Sequence, residues 1–285
     1  MNGATSLADG IASALESIGS PALKVKIEEV DKTRLEQSLA SKEDELKRIA
    51  RKSPFVRIPY WAYDLPITRR QREILGLVYS FQCSTSKDGR SLEFRMSASK
   101  AGSVLRVSRT HVTDDLAALS RAGYLEKGSF GQGKPAGYIV NEGFCRFSIR
   151  DPEWSRFVDG EAAPARFIRI PYWAYFLDLR QPTGHGARGA NRCWREILGL
   201  VYSFQCSTSE NGEPHEFRMS CENAAARLGI DRSNMHRELK SMCDANYLSK
   251  RSNGRGRPAT YVVNEAFCIE TALFNGWSPK ERETK

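Results

Sequence analysis

Residues 72–86 read REILGLVYSFQCSTS, and residues 195–209 repeat the same fifteen letters. The likeness continues without a gap from residues 72–145 onto residues 195–268. A long gapless match at a fixed period is the sequence mark of a duplicated module. With only two copies, each long enough to enclose its own hydrophobic core, the pattern predicts tandem domains rather than a solenoid.

A second pair of matching blocks lies upstream, FVRIPYWAY at residues 55–63 and FIRIPYWAY at residues 167–175. Eight residues separate the blocks in the first copy and nineteen separate them in the second, which therefore carries an 11-residue insertion of unassigned role. The duplication predicts five segments: an N-terminal helical and partly disordered extension at 1–54, repeat one at 55–145, a linker at 146–166, repeat two at 167–268 and a tail at 269–285.

Composition suits a globular protein of about two domains, with 285 residues of which 40% are hydrophobic. No apolar run is long enough to span a membrane, and the N-terminus lacks the basic start of a secretory signal. The seven cysteines include no CxxC pair, which argues against a disulfide framework or a zinc site. We therefore expect a cytoplasmic protein with reduced thiols, no membrane association, no metal and no cofactor.

The net charge of +9 is confined to the two repeats. Repeat one has 13 basic and 8 acidic side chains, repeat two has 14 and 10, and the other three segments are neutral. Basic domains between neutral segments favour an anionic partner, with nucleic acid the first candidate. The alternative is a basic surface that serves solubility alone.

The N-terminal extension contains a highly charged stretch at residues 31–52 without Gly or Pro. Leu35, Leu39, Leu46 and Ile49 follow heptad spacing in it, which predicts a helix but is too short to establish a coiled coil. The helix either pairs with a second copy of the chain, giving a homodimer, or packs on repeat one.

Within each repeat, Pro59 or Pro171 indicates an extended lead, and the shared REILGLVYSFQ block has helical periodicity. A tight turn and a short strand, EFRMS at 93–97 and 216–220, are expected next. Together with the lead and helix, they form the first half of each domain.

The second half of each repeat has the pattern of a helix-turn-helix. In repeat one, Ser97 caps a short helix at 98–105, and Ser108 caps a second helix that ends near Ala122. The counterparts in repeat two are Ser220, residues 221–228, Asp231 and Ala245. The second helices should bury Val112, Leu116 and Leu119 in repeat one, and Met235, Leu239 and Met242 in repeat two.

Two short strands joined by a Gly- and Pro-rich loop follow each helix-turn-helix, so each repeat reads as a winged helix-turn-helix. This unit resembles the bacterial winged helix-turn-helix superfamily, especially the version in plasmid and phage replication initiators. The resemblance implies an α+β, mostly helical protein with two tandem winged helix-turn-helix domains. It further implies sequence-specific binding to double-stranded DNA, either for replication initiation on a plasmid or mobile element or for transcriptional regulation.

The second helix of such a unit presents its outward positions to base edges in the major groove. In repeat two these candidate DNA-binding residues are Arg232, Ser233, His236, Arg237 and Lys240. In repeat one they are Arg109, Thr110 and Thr113, followed by Asp114 and Ala117. Asp114 stands where repeat two has Arg237, so we expect repeat two to bind DNA more strongly and to read a different half-site. The alternative is that these are ordinary solvated side chains.

The loops between the paired strands are the second candidate site. Residues 254–258 read GRGRP, which resembles the AT-hook core, and residues 131–135 read GQGKP. Glycine permits close backbone approach and arginine is attracted to the narrow minor groove of A·T tracts. We therefore expect the wing residues to contact an A·T-rich DNA site, with strand-borne Lys or Arg on phosphates: Lys127, Lys134, Lys250, Arg251, Arg255 and Arg257. The alternative is a hairpin turn that needs only Gly and Pro.

No phosphate-binding glycine loop, nucleophile elbow or metal-binding acid pair is found, so we expect no catalytic role. The competing class is an interaction module in which winged domains bind proteins. If the protein binds DNA, we expect it to be associated with the nucleoid or with a plasmid.

Overall fold

The computed structural model of the chain describes residues 21–84, 92–128, 136–149, 167–177, 190–206, 217–254 and 257–279. The described chain is α+β and mostly helical, as the sequence predicts, and it contains three two-stranded antiparallel sheets. Contacts divide it into two units, residues 1–48 and residues 49–285. Both repeats therefore lie within one compact unit.

Helix α1 extends over Pro21–Lys52 and supplies the described part of the first unit. It begins near residue 21 rather than near residue 31 as predicted, and proline suits a first helical turn because that position needs no N–H donor. Along the predicted heptad seam, Leu39 is 56% exposed whereas Leu46 is buried. Pairing of this helix with a second chain stays a prediction.

Repeat one consists of a strand, a short 3-10 helix, three helices, a hairpin and a final helix. Its elements are β1 (Phe55–Pro59), a 3-10 helix (Tyr60–Tyr63), α2 (Arg69–Gln82), α3 (Ala98–Leu105), α4 (Arg109–Arg121), β2 (Leu125–Gly128), β3 (Gly137–Val140) and α5 (Glu142–Phe147). A capping box begins α2, in which Thr68 Oγ1 accepts from the backbone N–H of Gln71 at 3.2 Å and the Gln71 side chain accepts from that of Thr68.

Repeat two has the same order of elements. They are β4 (Phe167–Pro171), a 3-10 helix (Tyr172–Phe176), α6 (Ala190–Gln205), α7 (Cys221–Leu228), α8 (Arg232–Asp244), β5 (Leu248–Arg251), β6 (Thr260–Val263) and α9 (Glu265–Phe274). Helix α9 continues past the predicted boundary at residue 268, and Ile269, Ala272 and Trp277 are buried. The fold thus includes part of the predicted tail, because its apolar side chains complete the core.

The predicted EFRMS strands are reduced to single bridges in the described residues. Phe94 exchanges two backbone hydrogen bonds with Tyr138, at 3.0 and 3.1 Å. Phe217 is bridged to Tyr261, whose backbone N–H donates to the carbonyl of Phe217 at 3.1 Å. The chain leaves the hairpin after this residue because Ser97 or Ser220 then begins a helix. Each bridge nevertheless adds a third chain segment to the edge of its hairpin. The predicted turns at 88–89 and 211–212 lie outside the described residues.

The predicted bounds of the two consecutive helices are confirmed in both repeats. Ser97 Oγ accepts from the backbone N–H of Lys100 at 3.2 Å, and Ser220 Oγ accepts from that of Asn223 at 3.1 Å. All six predicted inward side chains are buried, namely Val112, Leu116, Leu119, Met235, Leu239 and Met242.

The turn between the two helices needs a left-handed residue, Arg106 at φ 55° in repeat one and Gly229 at φ 58° in repeat two. Glycine adopts this conformation without steric cost, whereas arginine does so with some strain. The two repeats therefore form the same turn from different residues.

The two leads pair with each other, which their sequences did not reveal. Strands β1 and β4 form one antiparallel sheet in which Arg57 lies opposite Arg169. Each strand also docks on the first long helix of its own repeat, where the backbone N–H of Arg57 donates to Ser80 Oγ at 2.6 Å and that of Arg169 donates to Ser203 Oγ at 2.7 Å. The repeats consequently share a sheet rather than standing as separate domains.

Buried ion pairs extend this shared region. Arg72 Nη1 lies 2.9 Å from Glu196 Oε1, and Arg195 Nε lies 3.5 Å from Glu73 Oε1. Both carboxylates are fully buried. Such groups need partners because desolvation of a charge is costly, so each repeat supplies the cation that the other requires.

Candidate nucleic-acid interface

Helix α8 presents the predicted polar residues of repeat two to solvent. Asp231 Oδ1 accepts from the backbone N–H groups of Ser233 at 2.7 Å and Asn234 at 3.3 Å, and these bonds lower the pKa of Asp231. They also fix the start of the helix at Arg232. All five predicted side chains are exposed: Arg232, Ser233, His236, Arg237 and Lys240.

The rotation of α8 about its axis is fixed by its buried face. Met235, Leu239 and Met242 pack inward, and Glu238, only 5% exposed, accepts a hydrogen bond from the indole Nε1–H of Trp194 on α6. This polar anchor was not predicted. The sequence did contain a signal for this anchor, because both repeats have an acidic residue at this position, Asp115 in repeat one and Glu238 in repeat two.

Helix α4 is anchored in the equivalent way, with a different partner. Asp115 is buried and binds the Arg70 guanidinium of α2 through two hydrogen bonds, one of them from Nη2 to Oδ1 at 3.1 Å. This contact raises the pKa of Arg70, mainly by hydrogen bonding to the carboxylate. An acid in each second helix thus fixes which side chains face outward.

Some of the exposed charge on α8 is paired in the free protein. Arg237 Nη2 donates to Asn234 Oδ1 at 2.7 Å and lies 3.4 Å from Glu238 Oε1. Lys240 Nζ lies 3.2 Å from Asp244 Oδ2, where both side chains are largely exposed. The contacts of Arg237 with Asn234 and of Lys240 with Asp244 are exposed and therefore weak, so both cations can be redirected to another anion at low cost.

A cleft of about 730 Å³ separates the start of α8 from the hairpin loop of repeat two. Arg232, Ser233 and His236 line its helix side, and Arg257 lines its loop side. Its remaining lining residues are Met219, Ser220, Cys221, Glu222, Pro258, Ala259 and Tyr261. The cleft therefore brings together side chains from both predicted contact elements.

The hairpin loop of repeat two is closed by a side chain that the prediction did not include. Asn253 Nδ2 donates to the carbonyl of Pro258 at 2.7 Å and to Thr260 Oγ1 at 2.9 Å. Gly254 has φ +94°, which any other residue would adopt only with strain. Repeat one has Phe130 at the position of Asn253, so sequence divergence was the only signal.

The exposed positions of repeat one carry less basic charge. Arg109, Thr110, Thr113, Asp114 and Ala117 all face solvent on α4. Thr113 Oγ1 donates to the carbonyl of Arg109 at 3.1 Å, which is a local bond within the helix. The predicted difference in charge between the repeats therefore lies on exposed surface.

Four of the six predicted wing residues are described, and all four are exposed: Lys127, Lys250, Arg251 and Arg257. Lys134 and Arg255 lie outside the described residues. The described wing positions place basic side chains on β2 and β5 and at the end of the loop.

Within the described ranges, no group of three or more His, Cys, Asp or Glu side chains could hold a metal ion. No helix of the described ranges is long and apolar enough to cross a membrane. No protein-family model matches the chain, and a search of curated proteins finds no match to it.

Proposed function

We propose that this protein binds double-stranded DNA sequence-specifically through its two repeats, each acting as a winged helix-turn-helix head. The observation that carries the proposal is the exposed row on α8 beside the cleft. Three of its five side chains are Arg or Lys, and Arg257 faces the same cleft from the hairpin loop. A capped helix with such a row fits the width of the major groove, whereas a loop of this composition fits a minor groove.

The residues have distinct roles in this proposal. Arg232 or Arg237 pairs bidentately with guanine, and Ser233 contacts a base or a phosphate. The exposed cations Lys250 and Arg251 of β5 contact phosphates, which position the head without reading sequence. The loop arginines enter an A·T-rich minor groove beside the helix site.

Replication initiation on a plasmid or mobile element is the biological role we propose, on the likeness of the repeats to winged initiator domains. A plasmid whose sole candidate origin is the DNA flanking this gene should replicate when the intact protein is supplied. The variant Arg232→Ala with Arg237→Ala should not support replication. Retained DNA binding without any replication would favour a transcriptional regulator instead.

DNA binding itself is tested by fluorescence anisotropy with duplexes enriched from a random library. The logarithm of the binding constant should fall with the logarithm of salt concentration, by about 0.9 for each phosphate contact. Arg232→Ala with Arg237→Ala should weaken binding, and Arg146→Ala is the matched control, since Arg146 is an exposed cation on α5. Absence of any enriched sequence, or binding that ignores salt, would refute the proposal.

A further inference from the structure

The two repeats are related by a two-fold rotation, as the pairing of β1 with β4 indicates. Arg57 and Arg169, which are counterparts in the duplication, lie opposite each other at the centre of the sheet. Phe55 pairs with Pro171, and Pro59 pairs with Phe167, so every pair maps onto its counterpart. This reciprocity is the property of an isologous interface, here formed within one chain.

The side chains around this centre follow the same rotation. The guanidinium of Arg57 lies 5.2 Å from the ring centroid of Phe55 and 5.5 Å from that of Phe167. The guanidinium of Arg169 lies 5.3 and 5.6 Å from the same two rings. Each of these two arginines therefore stacks on one phenylalanine from its own repeat and one from the other repeat.

The buried ion pairs between the repeats also obey the rotation. Arg72 and Arg195 are counterparts, as are Glu73 and Glu196, and each arginine binds the glutamate of the other repeat. Both glutamates are fully buried, so breaking either pair would strand a charge without water. The relative orientation of the repeats is consequently held by the core and not by the linker alone.

The helix-turn-helix units themselves are packed at this interface. Helix α3 contacts the 3-10 helix of repeat two, where the Arg106 guanidinium lies 4.9 Å from the Phe176 ring centroid. Helix α7 contacts the 3-10 helix of repeat one, where the Arg227 guanidinium lies 5.4 Å from the Tyr60 ring centroid. Each recognition helix begins a few residues after one of these contacts, so the heads cannot turn independently.

We propose that one chain recognises one pseudo-palindromic DNA site, in which the two repeats read half-sites of inverted orientation. This inference rests on the proposed DNA binding. A two-fold rotation reverses one recognition helix relative to the other, so their half-sites run in opposite directions along the duplex. Half-sites in direct repeat would require a translation, which the shared sheet and the exchanged ion pairs do not allow.

The site should be an imperfect palindrome because the heads differ. The exposed position that holds Arg237 in α8 holds Asp114 in α4, and His236 corresponds to Thr113. One half-site should therefore offer bases or phosphates to arginine, whereas the other should offer a donor to aspartate or none. A dimer of one sequence would instead read two equal halves.

The test uses the intact chain and the half-sites obtained by selection from a random duplex library. Duplexes then carry the two half-sites in inverted, everted or direct orientation, with the spacing varied over about one helical turn. At its best spacing, the inverted duplex should bind about 100-fold more tightly than a single half-site, because the second contact is intramolecular. Sedimentation should give one chain for each inverted duplex.

A variant of one head identifies which half it reads. Arg232→Ala with Arg237→Ala should remove sequence preference in one half of the selected site and leave the other half unchanged. Preference for direct half-sites, two chains on each site, or one chain joining two duplexes would overturn the inference while leaving DNA binding intact. Everted half-sites are also related by a two-fold rotation and would agree with it. Failure to bind any duplex would refute the proposed function itself.

Discussion

At the residue scale, the difference that we propose between the DNA-binding properties of the repeats lies in a few exposed side chains on otherwise equivalent helices. Val112, Leu116 and Leu119 in α4 have apolar counterparts in α8, and all are buried. The outward positions change charge, with Asp114 replaced by Arg237. Because the buried faces hold both helices in the same way, these substitutions alter what a head can bind rather than how it folds.

We expect Arg237→Ala to weaken binding to the selected duplex by about 1–3 kcal/mol, the usual cost of losing a bidentate base contact. Its pair with Asn234 is exposed and easily exchanged, and the buried Glu238 keeps its hydrogen bond from Trp194, so folding stability should change little. Asp114→Ala should leave DNA affinity equal or higher, since it removes a negative charge near phosphates. Anisotropy titrations compare the two variants, and a larger loss from Asp114→Ala would contradict the asymmetry.

The glycine in the middle of α2, Gly76, is required by the close approach of strand β1. A Cβ at Gly76 would lie 2.7 Å from Ile58 Cγ1 and 3.0 Å from the Arg57 carbonyl oxygen, closer than real contacts allow. Gly76→Ala should therefore destabilise the chain by about 1–3 kcal/mol, as overpacking of a core does. Urea denaturation measures the change.

The matched control is Gly143→Ala on α5, where an added Cβ would meet only Asn141 Oδ1 at 3.8 Å. That substitution should be neutral or slightly stabilising, because alanine favours a helix over glycine. Equal losses from the two variants would show that the strand does not enforce glycine at position 76.

At the element scale, the wings should account for preference among DNA flanks. The double variant Arg255→Ala with Arg257→Ala should reduce affinity for A·T-flanked sites more than for G·C-flanked ones, because arginine is drawn to the narrow A·T minor groove. The corresponding control is Lys250→Ala, a strand cation expected to contact phosphate, which should weaken both flanks alike. An equal loss on both flanks from the double variant would assign the loop a phosphate role alone.

Among the elements, helix ends are predicted from the sequence more accurately than strand lengths. The helices Ala98–Leu105 and Cys221–Leu228 were predicted with their observed bounds, since a serine cap and a turn residue mark their two ends. The EFRMS strands were predicted too long, because their β composition does not state how many residues find a backbone partner. Local signals thus define helix ends better than sheet partners.

At the scale of the whole molecule, the sequence pattern did not indicate that the repeats join. An extended lead such as FVRIP carries no mark of which strand it will pair with. In the structure β1 pairs with β4, and Arg57 lies opposite Arg169, its counterpart 112 residues later in the chain. Nothing in the sequence around Glu73 and Glu196 indicates that these carboxylates are buried, yet both are. Long-range pairing decides these features, so they follow from tertiary structure alone.

The buried carboxyl of Glu196 makes folding stability depend on pH. Burial raises the pKa of Glu196 to about 7, and Arg72 and Arg69 oppose this increase only in part. The folded state therefore holds this proton more tightly than the unfolded state, in which the pKa has its ordinary value of 4.5. It follows that this group stabilises the fold most below about pH 4.5, and that its contribution is lost as pH rises toward 7.

We expect Glu196→Gln to remove this dependence while retaining an oxygen that can accept from Arg72. Between pH 7 and pH 5, the wild-type chain should gain stability relative to the variant, by on the order of 1–3 kcal/mol. Urea denaturation at several pH values measures the difference. Glu126→Gln is the control, because that carboxylate is exposed on β2. If the stability of the two variants depends on pH in the same way, Glu196 is not the group that causes the pH dependence of folding.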